Sequence, residues 1–202
     1  NLSEVKLGYK VAVFGLGNIG ILTALMYQKM GCKVIGVDPV KERCGLAKSM
    51  DLKYTLFQNK EEVLQDFAGA DGFDITADVT GLSKVIEDCI TCCGKYGQVL
   101  LLGSPRVSYE GDLTAVFSKI HMKDLKILGA FNETIPVKAV PGSKNSMDRN
   151  FAVCESLLKD KSIDARKLIT RIIDPQDCEK AYEDLMYHKD KANCIVFDWR
   201  AY

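Results

Sequence analysis

Short apolar runs alternate with amphipathic stretches along the first two thirds of this 202-residue chain. Val11-Ala12-Val13-Phe14 carries no polar residue, as expected of a strand buried on both faces. From about Asn18 to Met30 apolar positions recur at helical spacing, and Gly31 closes the run. Val34 to Val37 is a second apolar run and ends on Asp38. Lys41 to Met50 reads as a helix and Tyr54 to Phe57 as a short strand. Asn59 is expected to cap a helix reaching about Phe67, with Glu61 and Glu62 in its acidic first turn. Phe73 to Val79 is the next strand and stops at Thr80-Gly81. Ser83 is expected to cap a helix through Cys93, ended by Gly94. Gln98 to Leu102 is an almost wholly apolar strand before Gly103-Ser104-Pro105. A helix near Leu113 to Met122 and a strand from Leu125 to Ala130 complete six β-units.

The rhythm breaks between Phe131 and Ser146, where Pro136, Pro141 and Gly142 mark a connection with an extended piece around Val137 to Val140. Beyond it, a helix from about Asp148 to Lys159 is expected to bury Phe151, Cys154, Leu157 and Leu158. Lys167 to Ile172 reads as a strand. Asp174 then caps a helix with Pro175 at its first position, and Cys178, Ala181, Tyr182, Leu185 and Met186 form its apolar face. Cys194 to Phe197 is the last strand. The pattern predicts an α/β fold with a doubly wound parallel six-stranded sheet over residues 1–131. A short αβαβ extension over residues 132–202 follows it.

The chemistry concentrates in the first turn. Gly15-Leu16-Gly17-Asn18-Ile19-Gly20 joins the first strand to the first helix, and Asp38 ends the second strand 18 positions after Gly20. Strand, glycine turn, helix, strand and terminal acid in that order form a dinucleotide-binding βαβ fingerprint, the Rossmann arrangement. Gly15 can take the φ of a tight turn, Gly17 lets the backbone approach a pyrophosphate, and Gly20 lets the helix pack closely. The helix start adds free N–H groups and a partial positive charge. No Lys-Ser/Thr pair follows the glycines, which excludes the nucleoside triphosphate P-loop. Asp38 is placed to accept from an adenosine ribose diol and to repel a 2′-phosphate, favouring NAD over NADP. The plainer alternative is a structural turn with an aspartate at a strand end. Ligands in such sheets bind outside the carboxyl ends of the strands. The expected lining is therefore Gly15 to Gly20, Asp38-Pro39, Thr80-Gly81, Gly103-Ser104-Pro105 and Gly129-Ala130. Arg43 either lies over the adenine or is a solvated helix charge.

Composition narrows the partners. Lys plus Arg and Asp plus Glu both number 27, so nothing points to nucleic acid or an anionic membrane. No apolar run approaches the roughly 18 residues of a spanning helix, and the start at Asn1 carries no signal peptide. That start, without Met, leads us to expect a processed chain or an excised fragment. The eight cysteines are scattered through predicted elements, which reads as a reduced, cytoplasmic protein. Cys89-x2-Cys92-Cys93 has no second CxxC or paired histidine, so it reads as structural and no metal site is expected. His121 and His188 read as surface or structural residues, and no catalytic residue is assigned in this chain.

Taken in order, these residues resemble the medium-chain, zinc-dependent alcohol and polyol dehydrogenases over nearly the whole chain. Gly8 to Gly20 is similar to the opening of that family's cofactor domain. Asp78-Val79-Thr80-Gly81, Gly97 to Gly103 and Leu125 to Phe131 are similar to its later strand ends. Leu168-Ile169-Thr170 and Ala181-Tyr182 are similar to its C-terminal strand and helix. The resemblance implies NAD as cofactor, with Ile19, Asp38 and Arg43 at contacting positions. The nicotinamide end would lie near Gly103-Ser104 and Ala130-Phe131. It also implies that zinc, the proton relay and most of the pocket for an alcohol or polyol belong to an N-terminal domain not contained here. This chain alone is then expected to bind NAD without turning over alcohol. A homodimer through the sheet edge, with Phe131 to Val140 as the edge segment, is the implied assembly. Asn193 departs from the resemblance, standing near where some relatives place a basic pyrophosphate contact.

Two other classes compete. One is a regulatory dinucleotide-sensing module without catalysis, which uses the same crevice. The other is a short, zinc-free reductase using Tyr109 or Lys119 as its acid, although neither stands in a Tyr-x-x-x-Lys spacing.

Overall fold

The computed structural model describes residues 3–131, 135–142 and 145–200. Side chains alternate across each strand, so each central strand feeds two cores. In β1 (Lys10–Phe14), Val11 and Val13 join one cluster, with Leu16, Ile21, Ala24 and Leu25 of the following turn and helix. Ala12 and Phe14 join the other, with Phe73, Ile90 and Val99. Helices on both faces cover these clusters. They alternate with the strands as α1 (Asn18–Lys29), β2 (Lys33–Asp38), α2 (Lys41–Ser49), β3 (Tyr54–Phe57) and α3 (Glu61–Ala68). Next come β4 (Phe73–Asp78), α4 (Ser83–Cys92), β5 (Cys93–Leu101), α5 (Leu113–Lys123) and β6 (Lys126–Gly129). Every pairing is parallel, in the order β3-β2-β1-β4-β5-β6. The doubly wound six-stranded sheet is as expected, and the strand order reverses between β1 and β4.

Local details depart from the sequence reading. Asn59 does not cap α3; Lys60 is the N-cap without a side-chain bond, and Asn59 Nδ2 donates to Asp88 Oδ2 at 3.0 Å. Ser83 is the first residue of α4 rather than its cap, and Thr80 Oγ1 instead accepts from the Leu82 N–H at 3.0 Å. α4 stops at Cys92, and at Gly94 the backbone runs so near the Asp71 carbonyl that a Cβ would lie 2.0 Å from its oxygen. That close backbone approach pairs Cys93 with Phe73 and starts β5 five residues before Gln98.

After β6 the described residues 135–142 form turns and bends, so the extended piece expected at Val137 to Val140 is not a strand. The rest of the Phe131 to Ser146 connection includes residues outside the described ones. α6 (Met147–Lys159) leads to a 3-10 turn at Ala165–Leu168 and then β7 (Ile169–Ile173). Asp174 accepts from the Gln176 N–H over a 3-10 turn at Pro175–Asp177, before α7 (Cys178–Tyr187) and β8 (Cys194–Phe197). β7 and β8 pair in parallel as a second, small sheet. Ile163 and Leu168 plug this unit into the core beneath α1 and α2, and Lys167 Nζ donates to the Ser49 carbonyl at 2.6 Å.

The apolar stripe of α6 is not buried as expected. Phe151 is 64% and Leu158 51% exposed, Cys154 is exposed, and only Leu157 packs against the core. On α7, Ala181 is buried while Tyr182 and Met186 stand 62% and 59% exposed. A stripe predicts amphipathicity, but burial needs a facing element, and the described residues supply one only for the inner edge of each helix.

All eight cysteines are free. Burial pushes the Cys92 thiol up to about 12 and Cys93 to about 11, and holds Cys89 well above the ordinary range. Cys93 Sγ donates to the Phe73 carbonyl at 3.5 Å. An unfolded thiol ionises near about 8.5, so above that pH the unfolded chain binds fewer protons than the folded one. Stability is therefore full below about pH 8.5 and is lost as pH climbs toward the folded values, by on the order of 1 kcal/mol per thiol per unit. The melting temperature at pH 10 is expected several degrees below that at pH 8. Equal melts at the two pH values would contradict it.

Candidate functional site

Because all six strands run parallel, their carboxyl ends share one edge, with β1 and β4 at the reversal. Gly15 leaves β1 with φ +96°, and its N–H donates to the Val37 carbonyl at 2.8 Å. The Leu16 side chain turns into the core, where its Cδ2 would meet a Cβ on Gly36 at 2.6 Å. Gly17 is the N-cap of α1 at φ −73°, with no side-chain cap bond. A Cβ there would meet nothing within 4 Å, so the space over the helix start is open. Gly20 is the reverse case: its Cβ would lie 1.7 Å from the Gly15 carbonyl oxygen. Ile19 stands 62% exposed beside the turn.

Asp38 ends β2 almost fully buried. Its Oδ2 accepts from the Leu16 N–H at 2.6 Å and its Oδ1 from the Val40 N–H at 2.7 Å, and Arg43 Nη1 lies 4.0 Å away. The carboxylate thus ties the glycine turn to β2. Pro39 beside it is exposed.

Asp78, which sequence reasoning passed over as a site organiser, does the same for β4. It is fully buried and accepts from the Thr80 hydroxyl at 2.6 Å, the Thr80 N–H at 2.9 Å and the Gly81 N–H at 3.1 Å. An aspartate closing an apolar strand before Thr-Gly is the signal that could have found it. Gly81 and Gly103 have a reason of their own: a Cβ on Gly81 would lie 2.2 Å from the Ser104 carbonyl oxygen, and one on Gly103 2.1 Å from the Gly81 nitrogen. The β4 and β5 turns are pressed together, which leaves Ser104 exposed. Arg106 Nη2 donates to the Thr80 carbonyl at 3.2 Å. The Ala130 N–H donates to the Leu101 carbonyl at 3.0 Å, and Phe131 beyond it is 55% exposed. From β2 to β6 is four strand spacings, about 19 Å at ~4.8 Å each, a length suited to an extended dinucleotide.

The C-terminal unit reaches this edge. Asn193, just before β8, donates from Nδ2 to Asn18 Oδ1 at 2.5 Å, and Asn18 Nδ2 donates to the Asn193 carbonyl at 3.2 Å. Among the described residues, two buried side-chain polar atoms have no hydrogen-bond partner: Arg43 Nε and Asn193 Oδ1. One stands beside Asp38 and the other beside Asn18, so both flank the glycine turn. Buried polar groups are ordinarily satisfied, and an orphaned donor and acceptor here fit a bound molecule carrying both.

Tyr109 and Lys119 are spent elsewhere. The Tyr109 hydroxyl donates to Glu87 Oε2 at 2.6 Å, which raises its pKa, and Lys119 Nζ donates to Thr91 Oγ1 at 2.9 Å, both on α4. His121 sits in the last turn of α5 and His188 follows α7, both exposed. Among the described residues no three His, Cys, Asp or Glu side chains converge to hold a metal ion. No described helix is long and apolar enough to cross a membrane. A solvent-open hollow of about 710 Å³ lies at the amino ends of β4 and β5, bordered by Leu64, Gly72, Cys92 and Lys123, opposite to the glycine turn.

Residues 18–141 match the family model described as zinc-binding dehydrogenase. L-threonine 3-dehydrogenase of Aliivibrio fischeri is 24% identical over 202 residues, 98% of this chain and 53% of its own length. A short chain alcohol dehydrogenase of Escherichia coli CFT073, solved in complex with NADH, superposes with a TM-score of 0.75 at 18% identity, covering 95% of this chain and 52% of that one. The 2R,3R-butanediol dehydrogenase of Bacillus subtilis superposes with a TM-score of 0.72 at 24% identity, covering 94% and 50%. The chain spans about half the length of the relatives it matches.

Proposed function

This chain belongs to the zinc-binding dehydrogenase family, and on that footing we propose that it is the NAD-binding portion of an enzyme passing a hydride between an alcohol or polyol and NAD. The observation that carries the reading is the glycine turn: open space over Gly17, an uncapped α1 start, and orphaned polar atoms on either side. In this reading the pyrophosphate rests on the N–H groups at Gly17, Asn18 and Ile19, where the α1 dipole favours negative charge. The adenosine ribose diol donates to the lone pairs of Asp38 not used by Leu16 and Val40, and Arg43 offers its free Nε–H to the adenosine end. Thr80-Gly81, Gly103-Ser104 and Ala130-Phe131 border the nicotinamide end, held in place by Asp78. Bound NAD would supply the hydride acceptor.

Zinc does not fit the described residues of this chain. Among them no three His, Cys, Asp or Glu side chains converge, whereas a zinc site takes three or four such ligands. No step is therefore derived through zinc, and its ligands are proposed to come from an N-terminal catalytic domain. The same proposal divides the protein at residue 131 and lays the exposed stripes of α6 and α7 against that domain. It keeps a cytoplasmic location and a homodimer through the outer side of β6, one of the two edge strands of the sheet.

In calorimetric titrations NAD is expected to bind this chain on the order of tenfold more tightly than NADP, since a 2′-phosphate would stand against the Asp38 charge. Tighter binding of NADP would overturn the Asp38 assignment. Alcohol-dependent reduction of NAD by the purified chain would overturn the proposal that the catalytic groups lie outside it. The absence of any dinucleotide binding would remove the reading altogether.

A further inference from the structure

The Asn18–Asn193 pair joins residues 175 positions apart, where the C-terminal unit meets the glycine turn. The orientation of both amides is fixed by the backbone. Only the Asn18 NH2 can face the Asn193 carbonyl, so Asn18 Oδ1 must face the Asn193 NH2. That leaves the second carbonyl of the pair, Asn193 Oδ1, as an acceptor with no donor. Asn193 itself is held from behind, its N–H donating to Thr170 Oγ1 at 3.2 Å, and that hydroxyl in turn donating to the Cys194 carbonyl at 2.9 Å. The residue as a whole is only partly buried, so its side chain lies near the surface beside the start of α1.

The unmet need is for a donor, and this decides what can satisfy it. Phosphate oxygens only accept, so the pyrophosphate cannot. The donors next to a pyrophosphate in a dinucleotide are the hydroxyls of its two riboses. One ribose falls to Asp38 at the end of β2. We infer that Asn193 Oδ1 accepts a hydrogen bond from a hydroxyl of the other ribose, the one bearing nicotinamide. This rests on the dinucleotide reading given above. Asn193 is then a contact residue that reads the second half of the cofactor, while Asn18 positions it.

The test compares three probes by isothermal titration on the whole chain: ADP, ADP-ribose and NAD. ADP carries both phosphates but lacks the second ribose. The intact chain is expected to bind ADP-ribose about fivefold more tightly than ADP, and Asn193→Ala to erase that difference while leaving ADP unchanged. Asn18→Ala keeps the Asn193 oxygen but frees its side chain, so it is expected to reduce the preference for ADP-ribose only in part. ADP-ribose binding no more tightly than ADP to the unmodified chain overturns the inference, and that measurement needs no variant to fold. An equal loss for all three probes in Asn193→Ala also overturns it, because that result reports a structural role. Failure of the unmodified chain to bind any of the three overturns the dinucleotide reading instead, so the two failures are distinguishable.

Discussion

Gly17→Ala is expected to weaken NAD binding by on the order of tenfold or more, through steric exclusion of the pyrophosphate, while the melting temperature hardly moves. The two halves of that result have separate causes. Gly17 has φ −73°, which any residue adopts, and its added Cβ would find nothing within 4 Å, so the folded chain is indifferent to it. The same open space is where a pyrophosphate must approach the backbone. Gly20→Ala is the necessary contrast. There the Cβ would lie 1.7 Å from one backbone oxygen and 2.8 Å from the carbon behind it, and backbone cannot yield as a side chain does. Overpacking of this kind costs roughly 1–3 kcal/mol or more, so the melting temperature should fall by about 5 °C or more. Thermal melts and NAD titrations on both variants check the pair. A Gly17→Ala chain that binds NAD normally would show that no pyrophosphate sits at this turn.

Asp38→Asn is expected to damage fold and binding together. The carboxylate accepts from two backbone N–H groups, the buried one of Leu16 and the partly buried one of Val40, one on each oxygen, at 2.6 and 2.7 Å. An asparagine has one oxygen, so one N–H would confront an NH2 donor instead. Leaving a buried donor unsatisfied costs about 1–3 kcal/mol, which lowers the melting temperature by roughly 3–10 °C for a chain of this size. Losing the charge should also weaken NAD by on the order of tenfold and narrow the preference over NADP. A variant with an unchanged melt would show that the turn does not depend on this carboxylate. An unchanged affinity for NAD would show that the ribose does not use it.

The dual role of Asp38 marks how far the sequence could be read. An acid at that position was legible as a ribose partner, because the βαβ order and the spacing from Gly20 are local patterns. Its grip on Leu16 and Val40 was not, since the same pattern is compatible with a side chain facing outward. The Asp78 hydrogen bonds to Thr80 and Gly81 were within reach of local rules, since an aspartate closing an apolar strand before Thr-Gly can accept from the N–H groups that follow it. Asn193 stood out only as a departure from the resemblance, and its bond to Asn18 was out of reach. Its partner Asn18 lies at the other end of the chain, and no periodicity links the two.

The α6 and α7 stripes show the converse error. Helical spacing of Phe151, Leu157 and Leu158 identified the helix correctly, yet only Leu157 meets the core. Amphipathicity is a property of one segment, whereas burial belongs to a pair of segments.

By itself, then, the sequence determined the six β-units and the glycine turn with its terminal acid, because apolar periodicity and turn chemistry act over a few residues; the dehydrogenase family came from the resemblance of its ordered motifs. Only the tertiary structure decided which N–H groups Asp38 and Asp78 hold, and that Gly81 and Gly103 are pressed against each other's turns. It alone brought Asn193 onto the start of α1. Those outcomes depend on contacts between distant segments, and such contacts exist only once the sheet has set the carboxyl ends of its strands side by side.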